Sequence, residues 1–284
     1  MKNVLVTGCS SGIGYCVAKG LQARGYRVFA TARKEEDIQR LESEGLQVIE
    51  LDLASSESVN DAANELMLRT SNELYAVFHN GAYGQPGAVE DLSRACLEQQ
   101  FAANVFGWIE LNNRLMPLFR QNNTGRIIFN SSILGIVSLA YRGAYNASKY
   151  AIEGFADTLR QELFDTNIQV SLIEPGPIES RFRENALQAL HDNIDIETSF
   201  HKQRYQAEIQ RLSKQEAVVP FTLPPEAVLK KVIHALESKR AKPRYLVTVP
   251  SHLFSRLKCL LPIRWFDKLL VKISTSGSKQ DKEL

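Results

Sequence analysis

The chain has 284 residues, 44% of them hydrophobic, enough to bury a full core, which excludes a disordered segment and a small disulfide-stapled module. Its 34 basic residues nearly balance its 32 acidic ones for a net charge of +2, so a concentrated basic stripe for nucleic acid is not expected. Cys9, Cys16, Cys96 and Cys259 form no CxxC pair and no framework spacing, and read as small buried hydrophobes in a reducing compartment, not as metal ligands, catalytic thiols or bridges.

Short β-branched runs alternate with longer helical stretches along the chain, the pattern of a parallel sheet with crossover helices. Residues 4–7 predict a first strand and 13–24 a first helix closed by Gly25; 27–31 is a second strand, followed by a charged helix over 35–44 that Gly45 ends. A third strand at 47–51 leads to a helix capped by Ser56 and running to about 69. The fourth strand spans 74–79, one long helical region 93–120, the fifth strand 126–130, a helix 143–164 and the sixth strand 168–173. From 178 to 223 the pattern is irregular and polar with helical pieces near 186–191 and 203–212, as in a lid; a helix at 224–237 and a seventh strand at 244–249 complete the core. The N-terminus reads as a strand without the long apolar region of a secretion signal, and no apolar run reaches bilayer-spanning length. A soluble, cytoplasmic protein is therefore expected.

The first strand runs into Gly8-Cys9-Ser10-Ser11-Gly12-Ile13-Gly14. Glycines at this spacing let the backbone turn sharply and approach a pyrophosphate, and the helix that follows aims its free N–H groups and positive dipole end at that anion. The second strand ends Thr31-Ala32-Arg33-Lys34, with no carboxylate for an adenosine ribose and with Arg33 able to fork two donors onto a 2′-phosphate. NADP(H) is thus favoured over NAD(H).

After the fifth strand comes Asn130-Ser131-Ser132, and Tyr145 and Lys149 follow as Tyr-x-x-x-Lys, one helical turn apart on one face. A free phenol holds its proton to a pH of about 10, and a neighbouring ammonium stabilises the phenolate. Ser132 can hold a substrate oxygen while Tyr145 delivers or removes its proton, and Lys149 can bond the nicotinamide ribose.

In these motifs the chain resembles the short-chain dehydrogenases/reductases, on the branch similar to 17β-hydroxysteroid and retinol dehydrogenases and their bacterial relatives. The resemblance covers about residues 2–250. It implies a Rossmann-type, doubly wound α/β fold: a parallel sheet of about seven strands in a single domain, here with a C-terminal helical extension. It also implies that Thr7-Gly8-x-x-x-Gly12-x-Gly14 is the cofactor turn, that Asp52 and Leu53 contact adenine, and that Asn104 binds a water completing a proton relay with Lys149. Ser132, Tyr145 and Lys149 match the catalytic trio; Pro175, Gly176 and Ile178 match the segment that places the nicotinamide carboxamide, with Ser180 where the family usually carries Thr. One departure stands out. The family's Asn-Asn-Ala-Gly after the fourth strand is His79-Asn80-Gly81-Ala82 here, retaining Asn80 as a sheet-bridging cofactor contact but inverting the Ala-Gly order at Gly81.

Residues 1–250 are accordingly expected to form the dinucleotide-binding catalytic domain, with 178–223 as substrate lid, and 251–284 an amphipathic extension with a polar tail. Phe182, Leu187, Leu190, Ile194, Ile196 and Phe200 offer one apolar wall, and Leu134, Val137, Leu139 and Tyr141 another. Over 251–273 many apolar residues are interspersed with Arg256, Lys258, Arg264, Lys268 and Lys272, and Pro262 divides the stretch in two. Such a segment serves a membrane surface, the pocket or a subunit contact. The expected activity is NADPH-dependent reduction of a hydrophobic aldehyde or ketone. The oxidative direction on an alcohol, hydroxysteroid or retinol and a non-catalytic NADPH sensor are the alternatives; no metal is expected, and the family implies a dimer or tetramer.

Overall fold

The computed structural model describes residues 1–213 and 220–276. Seven parallel strands form one sheet in the order β3-β2-β1-β4-β5-β6-β7: β1 is Asn3–Val6, β2 Arg27–Ala32, β3 Gln47–Glu50, β4 Ala76–His79, β5 Gly125–Asn130, β6 Ile168–Glu174 and β7 Arg244–Leu246. Both faces are covered, which is why β1, β4 and β5 are buried along their whole length. Alternate residues sort to opposite faces. Leu5, Ile127 and Phe129 join Trp108, Leu111 and Ile152 on one side, while Val4, Val6 and Ile128 join Val17, Leu21, Val228 and Val232 on the other.

Helices α3 (Ser56–Thr70), α5 (Gly107–Asn122) and α6 (Gly143–Glu162) cover the first face, and α1 (Gly12–Ala23), α2 (Glu35–Ser43) and α9 (Glu226–Glu237) the second. The strand order reverses between β1 and β4, so the carboxyl ends of those two strands part and leave the crevice where doubly wound sheets bind their ligands.

The long helical region expected over 93–120 is interrupted. It divides into α4 (Arg94–Phe101), a π-helical turn at Ala102–Phe106, and α5. The wide turn lets Asn104 reach back to the backbone after β4 (below), and Gly107 admits a close approach: a Cβ there would lie 1.9 Å from the Leu53 carbonyl oxygen. The seventh strand is shorter than its apolar run, because Thr248 accepts a hydrogen bond from the Ser251 amide and starts α10 (Val249–Leu260). The two lid helices, α7 (Phe182–Asn193) and α8 (Lys202–Ser213), are longer than the pieces read from sequence. After Pro262 the chain folds back as α11 (Ile263–Ser276). Residues 277–284, the expected polar tail, lie outside the described residues, as do 214–219 of the expected lid. Cys9 and Cys96 are buried, but Cys16 is only half-buried and Cys259 is exposed on α10, which corrects the expectation for those two. No described helix is long and apolar enough to cross a membrane.

Candidate active site

β1 delivers Thr7 into a turn whose backbone demands glycine. Gly8 has φ +69°, and a Cβ there would lie 2.5 Å from the Gly81 Cα; a Cβ on Gly14 would lie 2.1 Å from the Gly8 carbonyl oxygen. α1 starts at Gly12, with Ser11 as an N-cap whose side chain makes no cap bond, so the first amides of the helix face the crevice without a side-chain acceptor. Glycine cradle and open helix N-terminus together fit a pyrophosphate. Ile13 packs into the core beneath, and the Ser10 carbonyl accepts from Arg40 Nη2 at 2.7 Å and from Arg181 Nη2 at 3.1 Å.

Beyond that turn, Arg33 is exposed directly after β2. Asp52 accepts from the Ala54 amide at 3.0 Å through Oδ1, and its own amide donates to Ser58 Oγ at 2.9 Å. Leu53, nearly buried, packs against Gly81. Asp37, in the first turn of α2, is held by Arg40 at 3.0 Å.

At the end of β4, Asn80 ties three strands together. Its amide donates to Thr7 Oγ1 at 2.8 Å, its Nδ2 donates to the Thr7 and Gly8 carbonyls at 3.0 and 3.2 Å, and its Oδ1 accepts from Asn130 Nδ2 at 2.8 Å. Gly81 sits flush against Gly8, with its amide on Thr7 Oγ1 at 3.0 Å and its carbonyl accepting from Trp108 Nε1 at 2.7 Å. The departure at 79–82 therefore has a local rationale: a Cβ at Gly81 would lie 2.9 Å from Leu53 Cδ1 and 3.4 Å from the Gly8 Cα. His79 completes this packing. It is fully buried, stacks on Phe129 with ring centres 4.8 Å apart and on Trp108 at 5.9 Å, and has no partner for either ring nitrogen. Burial alone pushes its pKa down to about 3, so it is a neutral packing residue at physiological pH.

α6 brings the central groups together. Lys149 is buried; its Nζ donates to the Asn130 carbonyl at 2.8 Å and lies 4.4 Å from the Trp108 ring centre and 5.7 Å from that of Tyr145. Ser132 Oγ accepts from the Leu134 amide at 3.1 Å and donates to the Pro175 carbonyl at 3.5 Å, close enough to Tyr145 to act on its phenol. Asn104 reaches α6 through Ser148, donating to its Oγ at 3.2 Å, while Oδ1 and Nδ2 also bond the Tyr83 amide and carbonyl at 3.1 and 2.9 Å. It thus stands one residue away from Lys149 and not on it.

The proton affinities differ from the simplest expectation. Burial pushes the Tyr145 phenol up to about 12, outweighing the Ser132 hydrogen bond and the Arg142 charge, which both pull it down. Burial also pulls Lys149 down to about 7, with the Glu153 carboxylate opposing. The protein's own groups therefore hold Tyr145 as a neutral phenol at neutral pH, because desolvation exceeds the help of Ser132 and Arg142.

The remaining segment leaves β6 at Glu174. The Pro175 carbonyl accepts from the Ile133 amide at 2.8 Å, and Gly176 packs on Thr248, whose Oγ1 would lie 2.2 Å from a Cβ at 176. Ile178 bridges Leu223, and Ser180 lies against Gly12, where a Cβ would be 2.9 Å from its own. Phe182 packs edge-on to the Tyr145 ring at 5.3 Å. Of the other lid apolars, Leu190, Ile194 and Ile196 form a separate cluster with Tyr141 and Tyr205 that holds the lid together, Leu187 is half-buried, and Phe200 is exposed. The opposite wall comes from α11: Phe266 and Leu270 are buried with Leu134 and Val137 in a cluster that Tyr145 joins. Beneath the segment, Arg244 of β7 bonds Glu153, Glu174 and Asp157, the last at 2.6 Å. Burial and the nearby Glu153 still raise Glu174 to about 7.

Four contributors escape sequence reasoning. Arg40 and Arg181 converge on the Ser10 carbonyl from α2 and from the lid, Trp108 faces Lys149, and α11 walls Tyr145. Nothing in the local spacing announces any of these contacts.

The family model of the short chain dehydrogenases matches residues 2–191. Over 269 residues, 95% of this chain and 94% of the relative, the sequence is 44% identical to the uncharacterized oxidoreductase YbbO of Escherichia coli K12. It is 29% identical over 96% of its length, and 97% of the relative's, to the NADPH-dependent 3-dehydrocapnine reductase of Ornithobacterium rhinotracheale. Among solved structures, a short-chain dehydrogenase from Streptomyces avermitilis superposes with a TM-score of 0.77 at 24% identity, covering 96% of this chain and 97% of that one; the likeness is one of fold.

Proposed function

The chain belongs to the short-chain dehydrogenase family, and from that premise we propose that it is an NADPH-dependent reductase of hydrophobic aldehydes or ketones. The observation that carries this reading is the neutral Tyr145 phenol, held by Ser132 on one side and close to Lys149 on the other. Bound NADPH supplies the hydride to the carbonyl carbon. Ser132 orients the substrate oxygen, and Tyr145 donates its proton to the developing alkoxide. A phenol raised to about 12 is protonated at neutral pH and is therefore in the form reduction requires. Lys149 is proposed to bond the ribose, and Asn104 to hold the loop at Tyr83 and the α6 backbone in register.

Cofactor preference follows from charge. Arg33 stands exposed after β2 where an NAD site places a carboxylate, and Arg40 and Arg181 add two guanidiniums at Ser10. A relative similar over nearly its whole length carries NADPH in its name. Gly8, Ser10, Ser11, Gly12, Ile13 and Gly14 are assigned to the pyrophosphate, Asp52 and Leu53 to adenine, and Asn80, Gly81, Pro175, Gly176, Ile178 and Ser180 to the nicotinamide end.

The test is Tyr145→Phe in the full chain, assayed by NADPH oxidation across graded chain-length aldehydes, ketosteroids and retinal, with NADH as control. The variant is expected to bind NADPH, seen as enhanced cofactor fluorescence, and to lose nearly all turnover. Full activity in it discards the proton-transfer role.

We also propose that α11 rests on anionic membrane surfaces, so that a cytoplasmic enzyme meets lipophilic substrate there. Ile263 and Trp265 are 76% and 69% exposed, and Arg256, Arg264, Lys268 and Lys272 oppose only Asp267 across residues 249–276. Flotation with phosphatidylcholine vesicles, with and without phosphatidylglycerol, tests this. Trp265→Ser should weaken binding to the anionic vesicles, and equal binding to both kinds refutes it.

A further inference from the structure

The wall of the site between Tyr145 and the lid carries more positive charge than its neighbours balance. Arg142 lies three residues before Tyr145, at the start of α6, and its charge acts on the Tyr145 phenol. Its position is fixed from both sides: Gly87 and Arg142 form a β-bridge, the Gly87 amide donates to the Tyr141 carbonyl at 3.0 Å, and Tyr141 is held at φ +61°, a region side chains other than glycine rarely occupy. The acid facing Arg142 is Glu208 of α8, with its Oε1 4.0 Å from Arg142 Nη2, at the outer limit of an ion pair. That same carboxylate is already taken by Arg211, whose Nε and Nη2 bond it at 2.8 and 2.5 Å. Arg204 also acts on Glu208, and Arg211 acts on Arg183; both Arg183 and Arg204 have contacts of their own besides. Burial and Arg211 together pull the Arg142 pKa down, against Glu208, yet a guanidinium stays protonated.

We propose that Arg142 is an anion-binding residue of the substrate site, and that the preferred substrate bears a carboxylate, sulfonate or phosphate group in addition to its carbonyl. The Arg142 side chain is half-buried, 30% exposed, and the single charge of Glu208 cannot neutralise both Arg142 and Arg211, which leaves Arg142 short of a full counter-charge. Planar guanidinium and a bound oxyanion meet through two parallel charge-assisted bonds, which a neutral substrate cannot supply. A site built to bond a polar group discriminates strongly against the analogue lacking it. Beside Tyr145 the surroundings are apolar, with Phe182 edge-on to its ring and the α11 cluster opposite. The inferred substrate is therefore amphiphilic: an apolar body, a carbonyl at Tyr145 and an anionic group at Arg142. This deepens the reductase reading and rests on it for turnover.

The experiment compares NADPH oxidation by the full chain with 2-, 3- and 4-carboxybenzaldehyde and 3-sulfobenzaldehyde against the matched methylbenzaldehydes, at constant ionic strength. The wild type is expected to favour at least one anionic member by about tenfold or more in kcat/KM. That ratio, whatever the absolute rates, should collapse in Arg142→Gln, survive in part in Arg142→Lys, and rise in Glu208→Gln, which removes the competing carboxylate. Should Arg142→Gln fail to fold, the Lys and Glu208 variants decide the matter. A second readout does not need turnover: hexanesulfonate should bind the NADPH complex by calorimetry in the wild type and at least tenfold more weakly in Arg142→Gln or Arg142→Lys. No anionic preference, or a preference unchanged by these substitutions, overturns the assignment while neutral aldehydes continue to be reduced. Hexanesulfonate binding at Arg142 without reduction of any aldehyde overturns the reductase reading and keeps the anion site.

Discussion

Trp108 lies beneath Lys149, its ring centre 4.4 Å from the ammonium and its indole N–H on the Gly81 carbonyl. One side chain thus couples the proposed proton-transfer helix to the Gly81 backbone after β4. Other groups facing Lys149 are Tyr145 and Glu153 on its own helix and the Asn130 carbonyl on β5, with neutral His79 stacked behind the indole. A desolvated cation over an indole face is stabilised by about 2 kcal/mol, a little more than one pKa unit. Trp108→Leu should therefore lower the pH above which turnover falls by about one unit, and Trp108→Phe by less. Because both lose the bond to Gly81, both should bind NADPH more weakly. A pH profile of kcat/KM on folded variants checks this, and an unmoved alkaline limb contradicts it.

The Lys149 amine also sets a stability cost. Its folded pKa of about 7 lies below its ordinary 10.5, so the unfolded chain holds the proton more tightly. The penalty is full below pH 7 and is relieved as pH rises from 7 towards 10.5. Lys149→Met should therefore melt higher than wild type at pH 6, with the gain shrinking at alkaline pH. Thermal melts between pH 6 and 10 measure the difference, and a constant offset would show that the charge is not its source.

His79 acts in the same sense at lower pH. Its folded pKa is about 3 against an ordinary 6.5, so stability is lost as pH falls below 6.5 and the unfolded chain gains a proton the folded one refuses. The loss by pH 5 is about 2 kcal/mol. His79→Phe, which keeps a ring against Phe129 and Trp108, should flatten that acid slope in urea denaturation at pH 5 and 7. An equal slope in both proteins argues that His79 takes up a proton without unfolding.

Arg33 should govern cofactor choice. Arg33→Ser is expected to weaken NADPH binding by roughly tenfold, the worth of one charge-assisted pair, with NADH binding little changed. Dissociation constants for both cofactors from fluorescence titration decide it. If Arg33→Ser leaves NADPH affinity intact while Arg40→Ser or Arg181→Ser reduces it, the 2′-phosphate is read by the pair at Ser10.

Much of the scaffold is local and was therefore readable from the chain. The strands are short apolar runs punctuated by glycine, and the turn at Gly8–Gly14 and the Tyr145–Lys149 pair are fixed by spacing within one element. What escaped depends on contacts between distant segments. The indole of Trp108 meets Lys149 only because α5 and α6 pack on the same sheet face, and Arg181 reaches Ser10 across 171 positions. The π-helical turn at Asn104 has no compositional mark, and the bonds it allows, to Tyr83 and Ser148, reach other segments of the chain. The amphipathic extension was visible as a pattern, but not that its apolar side would meet Leu134 and Val137 beside Tyr145.

The Arg244 junction limits how this protein can be cut, fused or recombined. The family-matched segment ends at residue 191, well before β7, yet Glu153 and Glu174 belong to that segment and their counter-ion does not. A fragment ending there would leave two buried carboxylates confronting each other at the root of the Pro175 loop, and would strip α11 from Tyr145. Exchange of C-terminal halves between relatives would succeed only where the incoming strand brings a guanidinium to that junction, so this short edge strand is a dowel that the more recognisable part of the chain needs in order to stand.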